Sequence, residues 1–360
     1  MIRSILFRCD GSHKIGFGHV IRCLALADEL RENHGCNIIF AVLLDQKAIE
    51  MIENHGYPVE TADRTRKDFS YGEWLNSVVA NINARGIILD VRDDLPSETI
   101  KNLRGKGILI ATIDDPTDRR LLADLAFYPP VPQVERMEWR GFTGQLFVGW
   151  EWVVLRREFS QKYRKFGIKI NDSISSIIPN ILVTMGGSDP RGMTLKAIEA
   201  LNFLDKHFET TIVLGPGFTR RKELKDLIHS FNHPYKIYEN TSNMAELMAG
   251  ANLAVASFGV TAYELASMGV PAIHLCLTED HAESASIFHE EMVAFCLGQI
   301  DEVTNDMLVK EIKRILTDNA LRTNMSKRMQ KLISGNGAYL ITQKIITEIS
   351  SERNERMGVT

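Results

Sequence analysis

Short apolar runs and amphipathic segments alternate along this chain, and no other feature restricts its fold as strongly. In the first part of the chain, strands are expected at residues 2–7, 37–43, 86–89 and 108–113. The segments between them have the apolar spacing that is typical of amphipathic helices, at residues 20–31, 46–55, 71–83 and 96–104. Strands that alternate with helices favour a parallel sheet that is covered by helices on both faces.

The alternation stops between residues 128 and 180 and then returns. The later strands are expected at residues 181–184, 210–214, 235–238, 253–256 and 272–277. The later helices are expected at residues 193–204, 220–230, 244–249, 260–268 and 282–290, with helices only after residue 304. We therefore predict a Rossmann-like domain at 1–160, a linker at 161–179, and a second Rossmann-like domain with terminal helices at 180–350. Because open parallel sheets bind ligands at the carboxyl ends of their strands, the two domains are expected to face a common cleft.

Composition narrows the class of protein. The chain has 360 residues, of which 44% are hydrophobic and 24% charged, and its net charge is −4. A sizeable core is expected, and there is no basic surplus of the kind that nucleic-acid-binding proteins carry. No apolar run is long enough to span a membrane. The five scattered cysteines lack a CxxC pair, which indicates reduced thiols and a cytoplasmic location.

Two glycines separate the first expected strand from the first expected helix, and a histidine stands where that helix begins. Gly16 and Gly18 let the backbone turn sharply and let a ligand approach its amide groups. A helix N-terminus attracts an anion, and a neutral imidazole beside a bound phosphate or sugar is a candidate general base. His19 is therefore the candidate catalytic residue, and Gly16, Gly18 and Arg22 are candidate substrate-binding residues. A histidine in the core or on the surface is the alternative.

A second glycine turn follows the first expected strand of the later series. Gly186, Gly187 and Ser188 leave backbone amides exposed, and Ser188 or Asp189 can cap the following helix. Such a turn can bind a phosphate or a sugar. An ordinary glycine-rich connection between strand and helix is the alternative.

A third turn, after the expected strand at 253–256, has the composition of a nucleotide site. Ser257, Gly259 and Thr261 lie where the next helix begins, so its N-terminal amides can face an anion. Glu264 lies further along this helix, and one carboxylate can accept hydrogen bonds from both hydroxyls of a ribose. A solvent-facing helical glutamate is the alternative.

Three further polar residues are candidates for substrate binding. Asp280 and His281 follow the strand at 272–277 and can contact a ligand, or can simply belong to a helix N-terminus. Arg156 can bind a diphosphate with two parallel hydrogen bonds, or can form a salt bridge between domains. The histidines and cysteines lack a metal-ligand spacing, so neither a metal nor a cofactor is expected.

The motifs together resemble a known family. The segment RCDGSHKIGFGHVIRCLALA (8–27) resembles the opening motif of the UDP-sugar hydrolases of pseudaminic acid biosynthesis (PseG) and of the related spore-coat polysaccharide proteins (SpsG). The later landmarks follow in the same order, as LRREF (155–159), TMGGSD (184–189) and SFGVTAYELASMGVP (257–271). The resemblance extends from residue 2 to about residue 292.

This resemblance implies a GT-B fold and hydrolysis, without a metal, of a UDP-linked 2,4-diacetamido-trideoxy sugar. It implies that His19 is the catalytic base and that Arg156 and Glu264 bind the UDP substrate. The chain departs from the family pattern mainly around the sugar, and Tyr128-Pro129-Pro130 replaces the family's usual Asn-containing strand end. Arg92 stands where the family carries a tyrosine, and Asp280-His281 replaces an Asn-Gln pair.

Three functions follow from these observations. The first is a hydrolase that acts on a nucleotide sugar, with His19 activating water. The second is a glycosyltransferase of polysaccharide biosynthesis that uses the same donor, with His19 deprotonating an acceptor hydroxyl. The third is a non-catalytic binder of sugar nucleotides, which the departures from the family pattern at Arg92 and Asp280-His281 would favour. The expected partner is a small nucleotide sugar, and nothing in the sequence specifies an oligomeric state.

Overall fold

The chain forms two compact units. The computed structural model describes residues 3–12, 15–160 and 178–356, with side chains up to residue 351, so most of the predicted linker lies outside the described residues. The first unit comprises the chain up to Pro130, Val134–Arg156, and the chain from Asn336 onward. The second unit comprises Val131–Gln133 and the described part of Arg157–Gly335.

The first unit contains a seven-stranded parallel sheet in the order β3-β2-β1-β4-β5-β6-β7. Its strands are β1 (Ser4–Cys9), β2 (Asn37–Leu43), β3 (Val59–Ala62), β4 (Ala84–Asp90), β5 (Leu109–Ile113), β6 (Leu125–Tyr128) and β7 (Gln145–Val148). The helices between them are α1 (Gly18–His34), α2 (Gln46–Asn54), α3 (Tyr71–Asn81), α4 (Ser97–Gly105) and α5 (Gln133–Arg136). The order reverses between β1 and β4, which is therefore the topological switch point where such sheets bind ligands.

Local sequence explains where these elements lie. The central strands β1, β2 and β4 are nearly continuous runs of buried residues, as expected for a parallel sheet with both faces covered. Asp45 and Ser70 cap α2 and α3 by accepting hydrogen bonds from Ala48 N and Glu73 N. Gly35 ends α1 in the left-handed conformation that glycine tolerates best.

The second unit contains a six-stranded parallel sheet in the order β10-β9-β8-β11-β12-β13. Its strands are β8 (Asn180–Thr184), β9 (Glu209–Leu214), β10 (Tyr235–Glu239), β11 (Leu253–Ser257), β12 (Ala272–Cys276) and β13 (Ala294–Gln299). Its helices are α6 (Met193–Asn202), α7 (Arg221–Ile228), α8 (Met244–Ala249), α9 (Val260–Ser267), α10 (Glu279–Glu290), α11 (Asn305–Thr317) and α12 (Asn319–Leu332). The switch point of this sheet lies between β8 and β11.

The last helix, α13 (Gly337–Arg356), belongs to the first unit. Ile341, Ile345 and Ile349 recur every four residues on one face of α13 and are buried in the first unit's core. Gly86 in β4 leaves room for this face, since a Cβ atom there would lie 3.3 Å from Ile349 Cδ1. The prediction that the terminal helices all belong with residues 180–350 was therefore wrong for α13.

The predicted class, two Rossmann-like parallel α/β domains, is confirmed. Four strands were not predicted, namely β3, β6, β7 and β13. In the described part of the chain, we find no helix with the length and apolarity that crossing a membrane requires.

Candidate active site

The first glycine turn lies at the switch point of the first sheet. Gly16 has a positive φ of 78°, and α1 begins two residues later. The turn passes close to Gly11, where a Cβ atom would lie 2.8 Å from the Phe17 ring and 2.9 Å from Val20. A larger residue at Gly11 would push the turn away, so this glycine fixes the start of α1 and with it the position of His19.

His19, Asp90 and Arg22 form a hydrogen-bonded cluster at this edge. His19 Nδ1 lies 2.7 Å from Asp90 Oδ1. Arg22 donates from Nε to Asp90 Oδ2 at 2.7 Å and from Nη2 to Asp90 Oδ1 at 2.6 Å. The Asp90 carboxylate is fully buried, whereas the side chains of His19 and Arg22 are 17% and 14% exposed.

The cluster fixes the protonation of both partners. Burial alone would raise the pKa of Asp90, but the charges and hydrogen bonds of Arg22 and His19 outweigh it and hold this pKa well below its usual range. Burial likewise opposes the charge on Arg22, yet Asp90 raises the pKa of Arg22 above its ordinary value. An ionised carboxylate only accepts hydrogen bonds, so Nδ1 of His19 must donate. In the neutral ring, Nε2 is then the unprotonated nitrogen that can accept a proton.

Arg92 lies two residues beyond Asp90 and faces the next strand end. Its Nη2 donates to Asp114 Oδ2 at 2.8 Å, and Arg22 Nη1 lies 3.6 Å from the same oxygen. Asp114 directly follows β5 and has a positive φ of 52°. The side chain of Arg92 remains 29% exposed. The structure therefore places a partly exposed guanidinium at the position where the resemblance implies a tyrosine.

A buried hydrogen-bond network around Arg8 and Arg119 stabilises the loop that follows β4. Arg8 is fully buried and donates to Tyr71 Oη, Asp10 Oδ2 and Asp93 Oδ2, each at 2.7 Å. Arg119 donates to the carbonyl of Asp93 at 2.7 Å. These bonds hold the loop after β4, which follows Asp90 directly. Sequence reasoning missed this network and the role of Asp90. A charged residue inside or ending an apolar strand, such as Arg8 or Asp90, was the available signal.

The turn after β8 is tightly packed and already capped. Asp189 accepts hydrogen bonds from Met193 N at 2.7 Å and Thr194 N at 2.8 Å, so a carboxylate occupies the N-terminus of α6. A Cβ atom at Gly215 would lie 2.2 Å from the carbonyl oxygen of Gly186 and 2.5 Å from that of Gly187. Of the two residues that could cap this helix, Asp189 does so, and the end of α6 is therefore unfavourable for a phosphate.

The turn after β11 differs from the turn after β8, because no carboxylate caps the helix that follows it. Gly259 has a positive φ of 151° and precedes α9, which has neither a side-chain cap nor an acidic residue in its first turn. Ser257 ends β11, and Thr261 lies in the first turn of α9. Glu264 is only 4% exposed, so the alternative of a solvent-facing glutamate was wrong. This end of α9 is therefore the more favourable anion site of the two.

Asp280 and His281 lie in the first turn of α10, as the capping alternative predicts. Thr278 caps this helix by accepting from His281 N at 3.2 Å. Burial lowers the pKa of His281.

The candidate residues thus fall into two sets, one on each unit. The first unit carries Gly16, Gly18, His19, Arg22 and Arg92, together with the half-buried Arg156. The second unit carries Gly186, Gly187, Ser188, Ser257, Gly259, Thr261, Glu264, Asp280 and His281. Within the ranges 3–12, 15–160 and 178–351, no three histidine, cysteine, aspartate or glutamate side chains converge as metal ligands would.

Comparisons with known proteins identify relatives and neighbours. Residues 180–344 match the model of the glycosyltransferase family 28 C-terminal domain. The chain is 24% identical over 339 residues to the spore coat polysaccharide biosynthesis protein SpsG of Bacillus subtilis. The aligned region covers 92% of this chain and 95% of that protein. It is 32% identical over 279 residues to an uncharacterized protein of Methanocaldococcus jannaschii, which covers 75% of this chain. The chain spans only 55% of that protein's length.

Two solved structures share the fold over almost the whole chain. The structure of MurG from Acinetobacter baumannii superimposes with a TM-score of 0.69 at 15% identity, covering 96% of this chain and 99% of that one. A UDP-GlcNAc 2-epimerase from Neisseria meningitidis, solved with UDP-GlcNAc bound, gives a TM-score of 0.65 at 13% identity and covers 96% of this chain and 100% of that one. At these identities the likeness concerns the fold.

Proposed function

We propose that the chain is a PseG/SpsG-like protein, as its similarity to SpsG supports, and that it hydrolyses a UDP-linked sugar to the free sugar and UDP. The coarser part of this proposal, an enzyme that acts on a UDP-sugar in polysaccharide biosynthesis, draws on the relatives. The finer part, hydrolysis with His19 as general base, rests on one observation. That observation is the hydrogen-bonded cluster of His19, Asp90 and Arg22 at the switch point of the first sheet.

In the proposed reaction, water attacks the anomeric carbon and the bond from that carbon to the UDP oxygen breaks. Nε2 of His19 accepts the proton from water, which generates an imidazolium. Asp90 acts as a positioning residue, since it holds Nδ1 as the donor and its negative charge stabilises the imidazolium. General-base assistance of this kind accelerates a reaction by about 10²–10⁴-fold.

We assign the binding of UDP to the second unit. The uncapped N-terminus of α9, with Ser257, Gly259 and Thr261, suits the diphosphate. Glu264 suits the ribose hydroxyls, as the resemblance implies, and Arg156 of the first unit suits the diphosphate. Donors that are already oriented stabilise the negative charge that develops on the departing UDP more strongly than water does, because they need not reorganise during the reaction.

We assign the recognition of the sugar to the residues that depart from the family pattern. The resemblance implies a 2,4-diacetamido-trideoxy sugar. Arg92 and the pair Asp280-His281 carry different donors and acceptors from the tyrosine and Asn-Gln pair of the family. We therefore expect the preferred sugar to differ from that of PseG in its substituents rather than in its linkage to UDP.

A glycosyltransferase is the second candidate. The match of residues 180–344 to the C-terminal domain of glycosyltransferase family 28 favours it. The donor site and the base would be the same, and an acceptor hydroxyl would replace water. Release of a reducing sugar from the UDP-sugar without an acceptor supports hydrolysis, whereas UDP release only with an acceptor supports transfer.

The test of the base is His19→Gln, with His55→Gln as the matched control. His55 is exposed, and its ring nitrogen Nδ1 bonds the carbonyl oxygen of Met51 at 2.8 Å. UDP release should fall by about 10²–10⁴-fold in H19Q with unchanged affinity for UDP, and should not change in H55Q. Unchanged turnover by H19Q would contradict the role of His19, and tight UDP binding without any turnover by the wild type would favour a non-catalytic binder.

A further inference from the structure

Two cysteines lie side by side on neighbouring strands of the second unit. Cys276 ends β12 and Cys296 lies in β13, and their sulfur atoms are 3.7 Å apart. Cys296 pairs with His274, which lies two residues before Cys276, so these three side chains lie on the same face of the sheet. The two thiols are therefore in direct contact, although they are 20 residues apart in the sequence.

The two thiols differ in their exposure to solvent. Cys276 is fully buried, whereas Cys296 is partly exposed. The structure describes all five cysteines of the chain, and the other three, Cys9, Cys23 and Cys36, are buried. A small polar reagent can therefore reach Cys296 more readily than any other thiol of this protein, while Cys276 is shielded from it.

The contacts of Cys296 favour its thiolate form. The hydrogen bond from the Cys276 thiol lowers the pKa of Cys296 to about 7 against the opposing effect of burial, and a backbone hydrogen bond at Gly298 acts in the same direction. The hydrogen bond to Cys296 and burial together raise the pKa of Cys276, so this residue keeps the proton that it donates. A partly exposed cysteine thiolate is the form that reacts with peroxides.

We infer that Cys276 and Cys296 form a modification site at which hydrogen peroxide converts the two thiols into a reversible disulfide. The thiolate sulfur of Cys296 attacks one oxygen of the peroxide, the O–O bond breaks, and the product is a sulfenic acid with hydroxide, which takes up a proton to give water. The sulfur of Cys276 then attacks the sulfur of Cys296, so the S–S bond forms as the S–O bond breaks. The hydroxide that leaves takes the proton of Cys276 as a second water. The two sulfurs together lose two electrons, and the peroxide gains them.

The local backbone can adjust to this bond. The sulfurs of a disulfide are about 2 Å apart, so those of Cys276 and Cys296 must approach each other by about 1.7 Å. The register between β12 and β13 shifts between His274 and Cys276, and Gly298 in this stretch of β13 has a positive φ of 88°. The two strands are therefore paired irregularly beside the cysteines, where a regular ladder would resist such a movement.

The test is oxidation of the folded, full-length protein by hydrogen peroxide at neutral pH, with the thiols measured by mass spectrometry. The remaining thiols are alkylated in denaturant, and the chain is then cleaved after glutamate. Glu279 and Glu291 lie between the two cysteines, so the disulfide joins two separate peptides. We expect both thiols to be lost together, with one cross-linked peptide pair that dithiothreitol separates, while the buried cysteines of the first unit stay reduced.

Three variants test the role of each thiol. In Cys276→Ser, Cys296 should stop at the sulfenic acid, which dimedone captures. In Cys296→Ser, Cys276 should be oxidised about tenfold more slowly than in the wild type, because it is shielded from solvent. Cys36→Ser is the matched control, since the buried Cys36 contacts the carbonyl oxygen of His34 and no thiol partner is needed there, so the disulfide should form at the wild-type rate. Thermal unfolding shows whether each variant is folded, and Cys276→Ala takes the place of C276S if that serine unfolds the protein.

The inference is overturned by any of three results. The first is oxidation of methionines by the peroxide without a cross-linked peptide pair. The second is a cross-link that forms only when urea unfolds the protein. The third is loss of Cys276 in C296S at the wild-type rate. These measurements do not involve UDP or a sugar, so they stand or fall independently of the proposed function.

Discussion

The substitution Asp90→Asn tests the central cluster most directly. Asparagine keeps the shape of aspartate but removes its negative charge and turns one acceptor oxygen into a donor. Asp90 accepts from His19 and twice from Arg22, so neither orientation of the new amide can satisfy all three donors. One orientation sets its NH₂ against Arg22 Nε, and the other sets it against Arg22 Nη2 and His19 Nδ1.

The size of the effect follows from the geometry. A carboxylate about 4 Å from the centre of an imidazolium stabilises it by about 4 kcal/mol at an effective dielectric constant of about 20. That energy corresponds to about 10³-fold in rate, and since Arg22 also repels the imidazolium, we expect kcat to fall by about 10²–10⁴-fold. Removing one partner of a buried ion pair should also lower the free energy of unfolding by about 3 kcal/mol.

The assay is UDP release at saturating substrate, together with the Kd for UDP and thermal unfolding. Asp114→Asn is the matched control, because Asp114 contacts Arg92 and lies near Arg22 but is not bonded to His19. We expect D114N to lose less than tenfold in kcat. A folded D90N protein that keeps more than a third of the wild-type kcat would refute the proposed positioning of His19.

Two further predictions concern the second unit. His274 is fully buried on β12, and burial lowers its pKa to about 4, so the folded protein keeps it neutral while the unfolded chain protonates it near pH 6.5. Stability should therefore decrease as the pH falls from about 6.5 to about 4, by about 3 kcal/mol, and His274→Phe should remove this dependence in chemical unfolding measured across that range. Gly215→Ala should lower the free energy of unfolding by about 1–3 kcal/mol, because the new Cβ would meet two backbone carbonyl oxygens, and urea unfolding measures the loss.

Each of these has a matched control. His233→Phe serves for the pH dependence, since burial also lowers the pKa of His233 but this histidine is only partly buried. If H274F and the wild type lose stability in parallel below pH 6.5, the buried histidine is not the cause. Gly187→Ala serves for Gly215, because a Cβ there would meet nothing within 4 Å. Equal stabilities of G215A and G187A would contradict the packing described for this turn.

The sequence predicted best those elements whose signal is local. The bounds of β2 and α8 agree with the expected ranges to the residue, because an apolar run between polar or turn residues marks both ends. The missed β3 and β7 are four-residue strands whose residues are all exposed or half-buried. β3 lacks an apolar run, and the apolar run of β7 is only three residues long. The strand β6 is buried, but it is equally short and runs into prolines that indicate an extended loop.

The candidate site was predictable only where one residue carries the signal. His19 stands out through the glycine turn before it, and the structure adds why it is oriented. Asp90 acts through a partner that lies 71 residues away, and the two become neighbours only once the strand order is known. The same reason explains why α13 was assigned to the wrong unit.

The position of α13 has a consequence for biosynthesis. The core around β1 and α1 is incomplete until Ile341, Ile345 and Ile349 are in place, and these residues follow the whole second unit in the chain. The second unit, by contrast, is almost wholly encoded before residue 336. Domains generally fold during translation from the N-terminus onward. The sheet of the first unit is therefore synthesised before the second unit but completed only after it, so its nascent surface is the one that chaperones would have to protect longer.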